Sequence, residues 1–443
     1  MGSWNRGWLF SSLLAVACLA SVVLADGPGW ERHDVDWLAG PCGRIKSISV
    51  PQGGSLPLRV RPRDGESASA RKTDSSGGAA AGFGLFSGDS AALSNLANVI
   101  ESPPIAGFVP WIAVAVTDMR SDDADWVAQV HASVVGGHLT NSPETNFAIG
   151  LFDTGASFHL MSYAAAQRTG VYAADLLTPN TVQIIGATNS AFALVSQPLA
   201  LFVDGLAAID ANTMTLDESN MVGQSNVSIV VGDAPTPDLK DLPTAIGSPM
   251  SVNFVTAIFN DRPITVTYDG NDYTSPDIRF YEHGDPCIPD LPRTIPLTLI
   301  PSGAVNVQYI IDFEAIIDFI FQPGQPSIIV GNLGQSLFFV ESVDLRDGAR
   351  SAIDKDRFML DTGAQITVIS SGIASRLGLD PAKSDFEVEI EDATGEITMQ
   401  PGFYLDSLEI PALGEWLSFT NVPVVLLDVA SPEGGTLDGI VGM

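Results

Sequence analysis

Short apolar runs broken by turn residues dominate this chain. Trp111-Ile112-Ala113-Val114-Ala115-Val116 and Ser228-Ile229-Val230-Val231 are almost continuously apolar. Runs of that length between turn signals suit strands covered on both faces. Leu56, Leu58 and Val60 lie opposite Arg59, Arg61 and Arg63, the period-two pattern of a half-exposed strand. Few stretches carry helical periodicity, and 42 Gly with 29 Pro supply the many turns a β-rich chain needs. The pattern predicts a mostly β body with short helices over 163–168 and 371–376. At 443 residues the chain can hold two or three domains with sizeable cores.

The amino terminus departs from this pattern. Arg6 precedes an apolar run over 8–24, and Val23 and Ala25 stand at −3 and −1 before Asp26. This reads as a secretory signal over 1–25. A membrane anchor is the other reading, but Ser11, Ser12 and Ser21 and the cleavage site favour removal. No other run is long enough to span a bilayer. Residues 73–92 are low in complexity and read as a linker. Of the three Cys, Cys18 lies in the signal, and Cys42 and Cys287 leave a disulfide open. His is scarce, and no zinc-type spacing occurs.

Charge narrows the partners. The net charge is −31, but residues 26–72 carry eight basic against six acidic side chains, and the rest from Thr73 carries 12 against 46. An acidic body argues against nucleic acid or an anionic membrane as partner. The basic segment has two readings: a pro-region that pairs with an acidic cleft, with Arg71-Lys72 just before a flexible stretch that a protease could cut, or a strand of the fold itself. The alternation around Arg59 favours the strand.

The most informative feature is a repeat. Asp153-Thr154-Gly155-Ala156 recurs as Asp361-Thr362-Gly363-Ala364. Leu151-Phe152 precedes the first copy and Met359-Leu360 the second. Ser162, Arg168, Gly170 and Val171 recur as Ser370, Arg376, Gly378 and Leu379, and Val182-x-Ile184 with Ala187-Thr188 recurs as Val388-x-Ile390 with Ala393-Thr394. One unit is used twice, each with a carboxylate at the end of a buried strand. Two such units facing each other bring the carboxyls of Asp153 and Asp361 together. Gly155 and Gly363 let the backbones approach with no side chain between them. Thr154 and Thr362 hold strand geometry, and their hydroxyls can bond across the axis. Two touching carboxyls cannot both ionise readily, so they share a proton and can activate water.

These residues resemble the aspartic peptidases, pepsin-like in carrying two lobes in one chain and retropepsin-like in detail. The family pattern is apolar-apolar-Asp-Thr/Ser-Gly with a later apolar-apolar-Gly. Here Ala245-Ile246-Gly247 follows the first copy and Ile440-Val441-Gly442 the second. The resemblance implies an all-β, bilobal pepsin-like fold: two β-barrel-like lobes related by a pseudo-twofold axis, with a cleft between. It places the N-terminal segment and linker at 26–104, the first lobe and crossing at 105–326 and the second lobe at 327–443. Family members continue past Gly442 with a helix and closing strands, so the second lobe is expected to be cut short. The activity implied is peptide-bond hydrolysis by a monomeric, secreted or envelope-located endopeptidase acting on polypeptides. It implies no cofactor and no metal.

Further expectations follow from departures. Pepsins usually carry Ser or Thr where Ala156 and Ala364 stand, and the missing hydroxyl should leave the pair less acidic. Residues 182–189 read as a strand and turn, and Gly186-Ala187-Thr188-Asn189 form the candidate flap tip. The usual flap Tyr is not evident; Phe192 is the nearest aromatic. Ser162, Ser370, Arg168 and Arg376 read as structural residues of the helix after each Asp. His159, with Thr367 at its place in the repeat, reads as packing or surface, and Asp354, Asp356, Asp392 and Asp428 as solvated. Two other classes use the same features: a non-catalytic exported binding protein on this fold, and a glycosidase, which also needs two carboxylates but leaves the Asp-Thr-Gly context unexplained.

Overall fold

The computed structural model describes residues 29–38, 44–52, 99–101, 109–117, 145–172, 177–185, 190–196, 199–232, 244–290, 293–301, 336–353, 356–391, 397–431 and 435–442. The expected signal and linker, the alternating run around Arg59 and Cys42 lie outside them. Cys287 is exposed. The described chain is mainly strand, and the predicted apolar run at 111–116 forms the strand Trp111–Thr117, buried from Ile112 onward. The all-β expectation therefore holds. Two large sheets, one of nine strands and one of 13, each carry one Asp-Thr-Gly copy.

The sequence repeat is a repeat of topology. In the first unit Ala148–Phe152 runs parallel to Thr244–Ile246, which lies antiparallel to Leu160–Met161. Leu160–Met161 then runs parallel to Val230–Val231, which pairs antiparallel with Ser190–Ser196, and this strand forms a hairpin with Leu177–Ile185. In the second unit Phe358–Leu360 runs parallel to Gly439–Val441, which lies antiparallel to Thr367–Ile369. Thr367–Ile369 runs parallel to Glu415–Leu426, next to Ile397–Ala412 and then Phe386–Glu391. The apolar-apolar-Gly segment thus sits in each unit between the strand entering the Asp loop and the strand leaving it.

Both predicted helices form, as Tyr163–Thr169 and Ser371–Leu377. Ser162 and Ser370 cap them by accepting from Ala165 N–H and Ile373 N–H, donors that would otherwise lack partners. Gly170 and Gly378 end them in the left-handed region, at φ 86° and 64°. The repeated Arg residues are ion-paired, Arg168 with Asp269 and Arg376 with Asp356. Asp356 is buried, not solvated, because Arg376 covers it. Asp428 accepts from Ser371 N–H at the start of the second helix. Asp354 and Asp392 lie outside the described residues.

Two further elements complete the frame. A long hairpin, Val255–Tyr268 with Asn271–Tyr281, puts Ile278, Phe280, Val266 and Tyr268 into the first unit's core. It crosses Gly205 so closely that an added Cβ there would meet Ile278 O at 2.1 Å. An N-terminal hairpin, Trp30–Leu38 with Arg44–Pro51, joins the second unit instead, pairing antiparallel with Phe386–Glu391. Its Ile48 and Val50 are buried in one cluster with Met359, Ala364, Val388 and Ile440. Leu297–Pro301 also lies in this second sheet, against Ser336–Val340. The segment 327–331 lies outside the described residues.

Candidate active site

Asp153 and Asp361 leave the ends of strands whose side chains are almost all buried, and both carboxyls are themselves buried. Each loop is tied to its own closing strand: Asp153 N–H donates to Ile246 O at 3.0 Å and Asp361 N–H to Val441 O at 3.1 Å. The two glycines of the apolar-apolar-Gly segments are required by contact. A Cβ on Gly247 would lie 2.3 Å from Phe158 O, and one on Gly442 would lie 2.7 Å from Ile366 O.

Four hydrogen bonds lock the two loops to each other. Thr154 Oγ1 donates to Leu360 O at 2.8 Å and accepts from Thr362 N–H at 3.0 Å. Thr362 Oγ1 donates to Phe152 O at 2.7 Å and accepts from Thr154 N–H at 3.1 Å. The set is reciprocal, as a pseudo-twofold axis demands, and each hydroxyl is used as both donor and acceptor. The glycines then pass face to face with the opposite acid. A Cβ on Gly155 would stand 2.4 Å from the Asp361 Cγ, and one on Gly363 would stand 2.7 Å from the Asp153 Cγ. All six predicted dyad residues therefore meet at one place.

The electrostatics follow from this packing. Each inner carboxylate oxygen is held by backbone donors: Asp153 Oδ1 by Gly155 N–H at 2.9 Å and Ala156 N–H at 3.1 Å, Asp361 Oδ1 by Gly363 N–H at 2.8 Å and Ala364 N–H at 3.1 Å. Ala156 and Ala364 thus supply a main-chain donor but no hydroxyl. Burial pushes Asp153 well above the usual carboxylate range, and the neighbouring Asp361 charge and the hydrogen bond to it push further. Burial also raises Asp361, opposed by the hydrogen bond from Asp153. The carboxyls are close enough to share a proton, with Asp153 the favoured holder.

Other predicted positions lie apart or unseen. The strands Leu177–Ile185 and Ser190–Ser196 form the expected hairpin, closed by Ile185 opposite Ser190, and the tip Gly186-Ala187-Thr188-Asn189 lies outside the described residues. His159 is buried, and its Nδ1 accepts from Gly247 N–H at 3.1 Å. Among the described residues no cluster of His, Cys, Asp and Glu could hold a metal, and no helix is long and apolar enough to cross a membrane.

Comparison with known proteins agrees with the second unit. Residues 352–443 match the aspartyl protease family. A search of the curated proteins found no match. Among solved structures, the aspartic proteinase from Irpex lacteus is 14% identical with a TM-score of 0.33, and conglutin gamma, a basic 7S globulin from lupine seeds, is 10% identical with a TM-score of 0.28. Each covers 75% of this chain and 90% of its own. The aspartyl protease match thus falls on the Asp361 unit, and the Asp153 unit repeats the topology of that unit around a joint acid pair.

Proposed function

We propose that this chain is an exported aspartic endopeptidase that hydrolyses peptide bonds with a water activated between Asp153 and Asp361. The observation that carries the reading is the reciprocal Thr154–Thr362 lock, which fixes two buried carboxyls against each other. Asp361, ionised, takes a proton from the water, and the oxygen so freed attacks the scissile carbonyl carbon. Asp153 gives its proton to the carbonyl oxygen, which yields a tetrahedral diol. Asp361 then gives its proton to the amide nitrogen while Asp153 takes one back from a diol hydroxyl, so the C–N bond breaks as the carbonyl re-forms, releasing an acid and an amine. The raised pair, with Ala156 and Ala364 in place of hydroxyl donors, favours mildly acidic solution, and a rate profile peaking well below about pH 3 contradicts this.

The hairpin ending at Ile185 and Ser190 is the element that would cover bound peptide and exclude water. Deleting residues 186–189 should then lower peptide cleavage sharply; full activity after the deletion removes the flap from the account. The signal-like terminus supports export, and sequencing the amino terminus of material recovered outside the cytoplasm tests it. For the chemistry, a mixed peptide library at about pH 5 is the assay. Cleavage should be blocked by a statine-type inhibitor and fall by about 10²–10⁴-fold or more in Asp153→Asn and in Asp361→Asn. Cleavage that persists in either variant overturns the reading.

A further inference from the structure

We propose that His159 is a positioning residue for Asp153: a neutral imidazole that accepts from Gly247 N–H and so pins the catalytic loop to its closing strand. The proposal rests on the peptidase reading of the dyad and adds a group outside it. His159 ends the loop that begins at Asp153. Its main chain is fixed by Val230 N–H, which donates to His159 O at 2.9 Å. Its ring reaches the opposite wall, where Gly247 N–H donates to Nδ1 at 3.1 Å. The next residue closes the same seam, Ser248 N–H donating to Ala156 O at 2.8 Å. Loop and closing strand are thus joined at Asp153, Ala156 and His159, and only the last joint is a side chain.

The hydrogen-bond pattern fixes the tautomer. An amide N–H can only donate, so Nδ1 carries no proton and Nε2 carries it. Nε2–H then donates to Gln224 Oε1 at 3.1 Å, and Gln224 Nε2–H donates to Pro249 O at 2.7 Å, in the first turn of the helix Ser248–Asn253. Every polar atom of the ring and of the amide's inner face is used in one direction. A second proton on Nδ1 would set two donors against each other and break the joint. Burial opposes that proton, holding His159 down to about 4. No charged side chain faces it from the elements packed around it: Val222–Val227, Val230–Val231, Thr244–Ile246, Leu160–Met161 and Ser248–Asn253 contain none. The ionisable groups of the site itself, Asp153 in the same loop and Asp361 across the axis, are those already assigned to catalysis. In the second unit Thr367 takes this place, so the device belongs to the Asp153 side alone.

The test compares His159→Phe, which fills the space without an acceptor, and His159→Asn, whose Oδ1 can replace Nδ1 but does not titrate. His159→Phe should lower kcat about tenfold with KM within about twofold, and His159→Asn should restore kcat to within about threefold. Below about pH 4 the wild-type kcat should fall with two protons, and that of His159→Asn with one. If His159→Phe does not fold, the His159→Asn profile still decides. An unchanged kcat in folded His159→Phe, or one and the same acid slope in wild type and His159→Asn, overturns the proposal. Failure of the peptidase reading shows up separately, as a wild type that cleaves nothing. In that event the amide resonance of Gly247 in Asp153→Asn decides: it should shift as pH falls through about 4, and a resonance flat over that range ends the positioning role.

Discussion

Thr154 shows how much of the site hangs on single atoms. Its hydroxyl satisfies Leu360 O and Thr362 N–H on the opposite loop. Thr154→Val keeps the shape and removes the oxygen, leaving both backbone groups buried without their partner. We expect a loss of about 1–3 kcal/mol in unfolding stability and a larger relative fall in kcat than in substrate binding. Thermal unfolding and initial rates on one preparation check both; a variant as stable as wild type contradicts the lock. Asp153, Thr154 and Gly155 and their second copies were legible in the sequence because each residue type answers one geometric need, twice. His159 was not. It occurs in one copy only, and its partners Gln224 and Gly247 stand 65 and 88 positions away. A lone His beside a motif carries no sign of which backbone amide it will meet.

At the scale of elements, the helix after each Asp repeats its caps but not its ion pair. Arg376 covers Asp356, which is buried, whereas Arg168 meets Asp269, which is half-exposed. Removing the first cation strands a buried carboxylate; removing the second exposes one to water. Arg376→Met should cost about 2 kcal/mol and Arg168→Met under about 1 kcal/mol, and equal costs by denaturant titration contradict the distinction. Asp356 was misread as solvated because the sequence gives its neighbours along the chain, not the helix that folds over it.

The hairpin at 30–51 teaches the same lesson. Its pairing with Phe386–Glu391 spans the whole chain, as in the bond from Ser47 Oγ to Glu389 Oε2, 342 positions away. Ile48 and Val50 alone contribute about 1.5–3 kcal/mol each through burial. A chain starting at residue 53 should therefore unfold at markedly lower temperature, or fail to fold. A dispensable pro-region would leave the remaining protein just as stable.

For the whole molecule, the buried acids and the buried imidazole act on stability with opposite signs. The dyad pair is raised on folding, so its contribution is present below the ordinary carboxylate value of 3.8 and is lost as pH rises through the folded value. His159 is lowered from 6.5 to about 4, so its contribution is full above 6.5 and is lost as pH falls to about 4, roughly 3 kcal/mol in all. Between about 4 and 6.5 the two slopes oppose each other. Asp153→Asn should unmask a stability that rises with pH in this window and should exceed wild type at neutral pH. His159→Asn should unmask one that falls. Unfolding temperatures at a series of pH values test this, and parallel curves for all three proteins contradict it. The two-unit plan was legible at this scale because duplication repeats its own pattern; the long-range strands that close each unit were not, since pairing register is set by partners far along the chain.

The central claim is that Asp153 and Asp361 act on one oxygen atom. The structure of the protein bound to a statine-type inhibitor measures this directly, because the inhibitor's hydroxyl takes the place of the attacking water. We predict that hydroxyl within hydrogen-bonding distance of both carboxyls, between the loops joined by Thr154 and Thr362. A hydroxyl that touches only one of the two acids, or an inhibitor bound elsewhere on the protein, would contradict the account.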